Sequence, residues 1–116
     1  MHNGIHNQQL EVRLRVYVGA DPFLGMGRVE LLAQIKQLGS ISQAAREMDM
    51  SYRKAWRLVQ EMNELAGEPL VMKRAGGKTG GGAYLSTRGE QALARFRAFE
   101  QKLRDFVEQE AAAMEF

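Results

Sequence analysis

The sequence of 116 residues contains no cysteine. This excludes disulfide bonds, a thiolate nucleophile and a zinc–thiolate site. No apolar run approaches the roughly 18 residues that a membrane span requires. The first residues, MHNGIHNQQLEV, lack the charged and apolar regions of a signal peptide, so we expect a cytoplasmic protein.

Histidine is also scarce, and its placement argues against a metal site. His2 and His6 lie in a polar start, residues 1–9, which we predict to be a disordered tail. No carboxylate cluster accompanies them, so we interpret them as solvated side chains and expect neither a metal nor a cofactor. The sequence offers no paired acid–base groups, and an enzyme is therefore the least favoured class.

The chain carries a small net charge of +2, but the charge is unevenly distributed. Residues 1–86 hold 11 Lys and Arg against 8 Asp and Glu, whereas residues 87–116 hold 5 against 6. The basic excess therefore lies in the first part of the chain. The length and a hydrophobic content of 45% suit one domain with a modest core.

Residues 39–67, GSISQAAREMDMSYRKAWRLVQEMNELAG, predict a short helix, a tight turn and a longer helix. Ser40 and Ser42 are possible N-caps of the first helix, Ser51 caps the second, and Gly67 ends it. One face of the second helix is apolar, formed by Ala55, Val59, Met62 and Ala66. The pattern predicts a helix-turn-helix whose second helix reads a DNA major groove, with an ordinary helix hairpin as the alternative.

The segments that precede this unit predict a strand and a helix. Residues 10–18 alternate strictly between apolar and polar and predict a half-buried strand. Residues 19–25 predict a loop, and residues 26–38 a helix that Gly39 ends.

Residues 69–86 predict a β-hairpin wing, because two short apolar runs flank a basic loop rich in glycine. Such a loop suits a sugar-phosphate backbone, although a surface loop without a ligand is the alternative. Within it, Gly77-Lys78-Thr79 mimics the end of a Walker A motif. Position 72 is Met where that motif needs glycine, so we reject nucleotide binding.

Residues 87–113 predict one long helix, with Thr87 and Glu90 as a capping box. Its apolar residues follow the spacing of a helix-pairing seam: Ala92, Phe96, Phe99, Leu103 and Phe106. We therefore assign residues 87–116 to dimerisation, with an interface formed by Phe96, Phe99, Leu103 and Phe106. Packing on the chain's own strand or first helix is the alternative.

Several of these stretches resemble one known family. GSISQAAREMDMSYRKAW, the EMN that follows, the wing KRAGGKTGGGAYLS and the TRGE helix resemble the N-terminal DNA-binding domain of the ModE family of molybdate-dependent transcriptional regulators. The resemblance spans about residues 29–89 and extends more remotely to LysR-type regulators. It implies a winged helix-turn-helix that dimerises and binds a palindromic operator.

The resemblance also implies roles for individual residues. The start of the family's recognition helix is matched by Ser51, Tyr52, Arg53, Lys54 and Arg57. Trp56 matches a family tryptophan and is open to core packing or DNA contact. The family's full regulators carry molybdate-binding domains after this part, and this sequence shows none, so we do not expect molybdate to act on it.

We thus predict a mainly α fold with a small β component. A winged helix-turn-helix occupies residues 10–86 and precedes a long C-terminal dimerisation helix. Its partners are double-stranded DNA and a second copy of the chain. The predicted DNA-binding residues are Ser42, Gln43, Ser51, Tyr52, Arg53, Lys54, Trp56, Arg57, Arg74, Lys78 and Thr79.

These residues divide into three groups. Arg53, Lys54 and Arg57 enter the major groove, and the wing residues hold the flanking backbone or the minor groove. Ser42 and Gln43 anchor phosphate through their backbone N–H groups. The alternative function is a protein-interaction module that uses the Phe-rich helix and has no operator of its own.

Overall fold

The computed structural model describes residues 10–75, 82–111 and 113, so the predicted tail lies outside the described residues. The elements run β1 (Val16–Val18), β2 (Asp21–Leu24), α1 (Met26–Leu38), α2 (Ile41–Glu47), α3 (Tyr52–Ala66), β3 (Val71–Lys73), β4 (Ala83–Leu85) and α4 (Thr87–Ala111). They form a winged helix-turn-helix with a long C-terminal helix, as predicted. No helix within this part of the chain is long and apolar enough to cross a membrane.

The N-terminal region differs from its prediction. Only the end of the alternating segment forms a strand, β1, and the predicted loop contains β2, which pairs with β1 in an antiparallel hairpin. Pro22 lies in β2 opposite Tyr17. Proline is tolerated there because a two-stranded ribbon consists only of edges, where a missing N–H breaks no second ladder. Val12, which the alternation places on the buried side, is 50% exposed.

The three helices α1, α2 and α3 enclose the core. Helix α1 has the predicted bounds, and Gly39 ends it in the left-handed conformation. Leu31, Leu32 and Ile35 of α1 are fully buried. Small residues on the other two helices complete the contact, because alanine allows helices to cross closely: Ala44, Ala45 and Ala55.

The turn of the helix-turn-helix is short and depends on one residue. Asp49 has a φ of 56°, a left-handed conformation that is rare outside glycine. Ser51 then caps α3, and its Oγ accepts a hydrogen bond of 3.0 Å from the N–H of Lys54. The turn and the cap together fix the orientation of α3 relative to α2.

The wing strands β3 and β4 are antiparallel, with Met72 opposite Tyr84. The side chain of Asn63 on α3 fastens β3 to the helix. Its Oδ1 accepts hydrogen bonds from the N–H groups of Leu70, at 2.8 Å, and Val71, at 3.2 Å. The wing therefore keeps a fixed position relative to α3.

Helix α4 begins at a different cap from the one predicted. The Oγ of Ser86 accepts from the N–H of Gly89 at 3.0 Å, so Ser86 and not Thr87 is the capping side chain. Glu90 instead pairs with Lys36 of α1 at 2.8 Å. A Cβ on Gly89 would overlap the carbonyl oxygen of Leu70, so the close approach of α4 to the wing requires glycine.

The structure divides the predicted dimer seam on α4 into a buried part and an exposed part. Phe96 is only 3% exposed and packs in the core of its own chain, as does Leu93 one turn before it. A heptad pattern identifies an apolar face but does not say what covers it, and here the core covers the first half. Phe99 and Phe106 are exposed, and Leu103 is half-buried.

Candidate nucleic-acid interface

The exposed side of α3 presents the predicted recognition residues to solvent. Tyr52, Arg53, Lys54 and Arg57 are exposed, while Ala55, Leu58, Val59 and Met62 face the core. At about 100° per residue, Arg53 points straight outward, and Tyr52 and Lys54 lie on opposite flanks of the helix. The structure therefore separates the predicted residues into an outer face and two flanks.

The flank that carries Tyr52 borders a polar groove of about 450 Å³. We call it the wing-side groove, and its polar side chains come from the N-cap of α2 and from α2, α3 and β3: Ser40, Ser42, Gln43, Arg46, Tyr52 and Lys73. None of the described residues that line it carries a carboxylate. Two cations without a counter-charge beside hydroxyl and amide groups suit a phosphate of a nucleic-acid backbone.

One of the two main-chain N–H groups predicted to bind phosphate, that of Gln43, is engaged within the protein. The backbone N–H of Gln43 donates to the Oγ of Ser40 at 3.0 Å, so it is occupied by the helix cap. Similarly, Ser51 uses its hydroxyl as the cap of α3. Gln43 can therefore meet a phosphate through its side-chain amide but not through its main chain.

Trp56 is half-buried and packs against the core. This favours a role in core packing over a contact with DNA. The ammonium of Lys73 lies over its ring, 4.4 Å from the centroid. The ring therefore holds Lys73 at the edge of the wing-side groove. Lys73 was not among the predicted site residues, and its place directly before Arg74 in the basic run was the signal for it.

The base of the wing is held by backbone contacts. The N–H of Ala83 donates to the carbonyl of Gly39 at 3.0 Å, and the N–H of Arg74 donates to the carbonyl of Gly82 at 2.8 Å. A Cβ on Gly82 would collide with the same Gly39 carbonyl, so only glycine fits there.

The side chains at this base also form a pair. Arg74 stacks on Tyr84, with 4.8 Å between the guanidinium carbon and the ring centroid. Tyr84 was not predicted, because only the strand register shows that it supports Arg74. Lys78 and Thr79 lie outside the described residues.

Arg57 is held in place by an acidic neighbour. Glu61 accepts from Arg57 at 2.9 Å and from Arg28 of α1 at 2.8 Å. The hydrogen bond from Arg28, and more weakly that from Arg57, lowers the pKa of Glu61 against the opposing effect of burial. The carboxylate of Glu61 thus ties α3 to α1 and orients Arg57.

Comparison with known proteins is consistent with this geometry. Residues 26–90 match the family described as bacterial regulatory helix-turn-helix protein, lysR family. The chain is 51% identical over 77 residues to the molybdenum-pterin-binding protein MopB of Rhodobacter capsulatus. It is 45% identical over 73 residues to the molybdenum transport protein ModE of Azotobacter vinelandii. It is 39% identical over 85 residues to the DNA-binding transcriptional dual regulator ModE of Escherichia coli.

These alignments cover 66%, 63% and 73% of this chain but only 28%, 27% and 32% of the three relatives. The chain thus spans about a third or less of the length of these curated relatives. The part that matches contains α1, the helix-turn-helix, both wing strands and the start of α4. With more than half of its residues matched, the chain belongs to the lysR family of bacterial regulatory helix-turn-helix proteins, and ModE-type DNA-binding domains are among its relatives.

Proposed function

We propose that the protein is a transcriptional regulator that binds a palindromic operator as a homodimer, with α3 in the major groove. The observation that carries the proposal lies in the first two turns of α3. Its exposed cations Arg53 and Arg57 stand beside a wing-side groove that holds Arg46 and Lys73 without a carboxylate among its described lining residues. The outer cations suit base edges, and the groove suits phosphate.

The homodimer rests on the exposed part of α4. Phe99 and Phe106 are 58% and 57% exposed and, being seven residues apart, share one helix face. Beside Phe99 lies an apolar groove of about 380 Å³, to which Phe23 and Leu65 also contribute. A second copy that packs its own α4 there would remove these aromatic rings from water.

The charges beside these rings favour an antiparallel arrangement of the two helices. Arg95 lies on the N-terminal half of the Phe99 face, and Glu110 lies near its C-terminal end. Two-fold antiparallel pairing places Arg95 near Glu110 of the partner subunit, whereas parallel pairing places like charges together. Such a dimer carries its two α3 helices on related half-sites, which is why we expect a palindrome.

The test compares one residue of the outer face with one of the groove. Arg53→Ala is expected to cost about 1–3 kcal/mol on the operator and much less on random DNA, because a base contact is lost. Lys73→Ala is expected to weaken both complexes alike and to lower the salt slope by about one unit, because one phosphate contact is lost. The operator is first located by footprinting on the native upstream region.

The alternative is a protein-interaction module, which the exposed Phe99 and Phe106 also suit. Retention on DNA separates the two functions. A regulator binds duplex DNA with a steep dependence on salt, whereas a module without an operator shows no footprint and no preference among sequences. The regulatory family that the chain matches favours a transcription factor over either this module or an enzyme.

A further inference from the structure

A second basic cavity lies on the other flank of α3, away from the wing. It measures about 570 Å³ and opens between the N-terminal segment, the first turn of α1 and the first half of α3. We call it the strand-side cavity, and four cations line it: Arg13, Arg15, Arg28 and Lys54. No carboxylate occurs among the described residues of its lining, so the cavity favours an anion.

The cations of this cavity are only partly neutralised by neighbours. Arg13 pairs with Glu11 at 3.1 Å, and Arg28 pairs with Glu61. The Nη1 of Arg28 is buried and has no hydrogen-bond partner among the described residues. Neither Arg15 nor Lys54 forms an ion pair with another described residue. The charge of each is therefore available to neutralise an anionic ligand.

The start of α1 adds main-chain donors to the cavity. Gly25 precedes the helix without a side-chain cap, and the first turn contains no acidic residue. The side chain of Arg15 runs beside this helix start, since its Cγ would lie 3.6 Å from a Cβ placed on Gly25. N–H groups at a helix start and a cation beside them favour the same kind of ligand, an oxyanion.

The position of the cavity relative to α3 indicates which oxyanion this is. Tyr52 borders the wing-side groove and Lys54 borders the strand-side cavity, about 200° apart around the helix, with Arg53 between them. A helix in a major groove has a phosphate backbone on each side, because the groove is only about 12 Å wide. The two basic flanks match the two backbones.

We propose that the strand-side cavity binds a backbone phosphate of the DNA strand across the major groove from the strand held by the wing-side groove. The proposal rests on the function proposed above and adds a second anchoring point that no part of the helix-turn-helix pattern predicts. The phosphate binds between the side chains of Arg15 and Lys54, and the N–H groups at the start of α1 face it. The recognition helix is thereby clamped from both flanks.

The first test uses Arg15→Ala, with Arg97→Ala on the exposed side of α4 as a control of the same charge change. Binding to duplex DNA is measured over a salt series, and phosphates are mapped by ethylation interference. Arg15→Ala is expected to lower affinity about three- to tenfold, to reduce the log–log salt slope by about 0.9, and to lose interference at one phosphate on one strand. Lys73→Ala is expected to lose interference on the opposite strand.

A second test separates a DNA contact from a structural role. Gly27 lies in the first turn of α1 with open space around it. Gly27→Glu places a carboxylate at the helix start, which is expected to keep or raise the melting temperature while it weakens DNA binding by charge repulsion. Gly27→Gln, a neutral control of the same size, is expected to weaken DNA binding less than Gly27→Glu does. A merely structural role would move stability and binding in the same direction.

Three outcomes distinguish the possible roles of the cavity. If the wild type shows no salt-dependent DNA binding, the proposed function itself fails. If the wild type binds and Arg15→Ala behaves like Arg97→Ala, only the assignment of this cavity is overturned. The cavity would serve a free anion instead of DNA if inorganic phosphate raised the melting temperature of the wild type but not of Arg15→Ala, with DNA binding equal in both proteins.

Discussion

At the scale of single residues, the turn between α2 and α3 depends on Asp49. Its left-handed backbone conformation lets Met50 donate to the carbonyl of Ala45 at 3.0 Å and lets Ser51 begin the next helix. Residues with a Cβ adopt this conformation at a cost of about 1–2 kcal/mol, and aspartate is among the few that tolerate it. The sequence predicted the place of the turn but not its handedness.

We expect Asp49→Gly to leave the free energy of unfolding unchanged or slightly raised, because glycine adopts positive φ freely. Asp49→Ala is expected to lower it by about 1 kcal/mol. Both substitutions remove the same carboxylate, so charge cannot account for a difference between them. Urea denaturation of the two variants measures it, and equal stabilities would contradict a strained turn.

At the scale of elements, the orientation of α3 depends on its attachment to α1. Arg28 joins the two helices through Glu61, and 84% of its side chain is buried, since its exposure is 16%. Removing the carboxylate partner of a largely buried cation lowers the stability of the fold, because an uncompensated charge remains buried. Glu61 therefore supports the fold from a half-buried position on α3.

We expect Glu61→Gln to lower stability near neutral pH by about 1 kcal/mol, a value discounted for a carboxylate that is partly exposed. Because the pKa of Glu61 is lowered in the folded state, its contribution is complete above the unfolded-state pKa. It is lost as the pH falls through the lowered pKa. The gap between wild type and variant in chemical denaturation should therefore narrow on acidification, and a gap that widens would refute the assignment.

The elements with strong end signals are those that the sequence predicted well. Helix α1 was bounded by Gly39, and α3 by Ser51 and Gly67, because caps act locally. Strand β2 was missed, since Asp21-Pro22 resembles a loop and the strand forms only by pairing with β1.

Contacts between elements were not predictable. The burial of Phe96, the Glu61 bridge and the pairing of Lys73 with Trp56 each depend on two segments meeting in space. The outer residues of α3 were predictable because helical spacing alone decides which way they point. The flanks of α3 were not, because the wing and the N-terminal segment create them.

At the scale of the whole molecule, we expect the exposed aromatic rings of α4 to form the dimer interface. A dimer of twice 13.1 kDa is expected in sedimentation equilibrium at micromolar concentration. Phe99→Glu should give the monomer without loss of folding, because the ring is mostly exposed within one chain. Met72→Glu, an exposed apolar residue on the wing, serves as the control and should remain dimeric. A dimeric Phe99→Glu variant would place the interface elsewhere.

The names of several relatives refer to molybdenum, yet we expect molybdate to leave the DNA affinity of this chain unchanged. An effector acts only through a site that binds two states of the protein differently. Titration of molybdate into a DNA-binding assay measures the effect, with sulfate as the control anion. A several-fold shift specific to molybdate would reveal a sensing site on this chain.

The closed base of the wing has a consequence for how such regulators diverge. The backbone N–H of Arg74 donates to the carbonyl of Gly82, and that of Ala83 donates to the carbonyl of Gly39. The two strands of the wing are therefore already joined where the connecting peptide begins. Doubling the length of a connection costs only about 0.6 kcal/mol in closure entropy. If the protein acts on DNA as proposed, insertions and deletions in the connection would change its reach along the duplex at a small cost in the free energy of folding. Mutations in this peptide can therefore change the contacts that flank α3 without destabilising the core on which α3 packs.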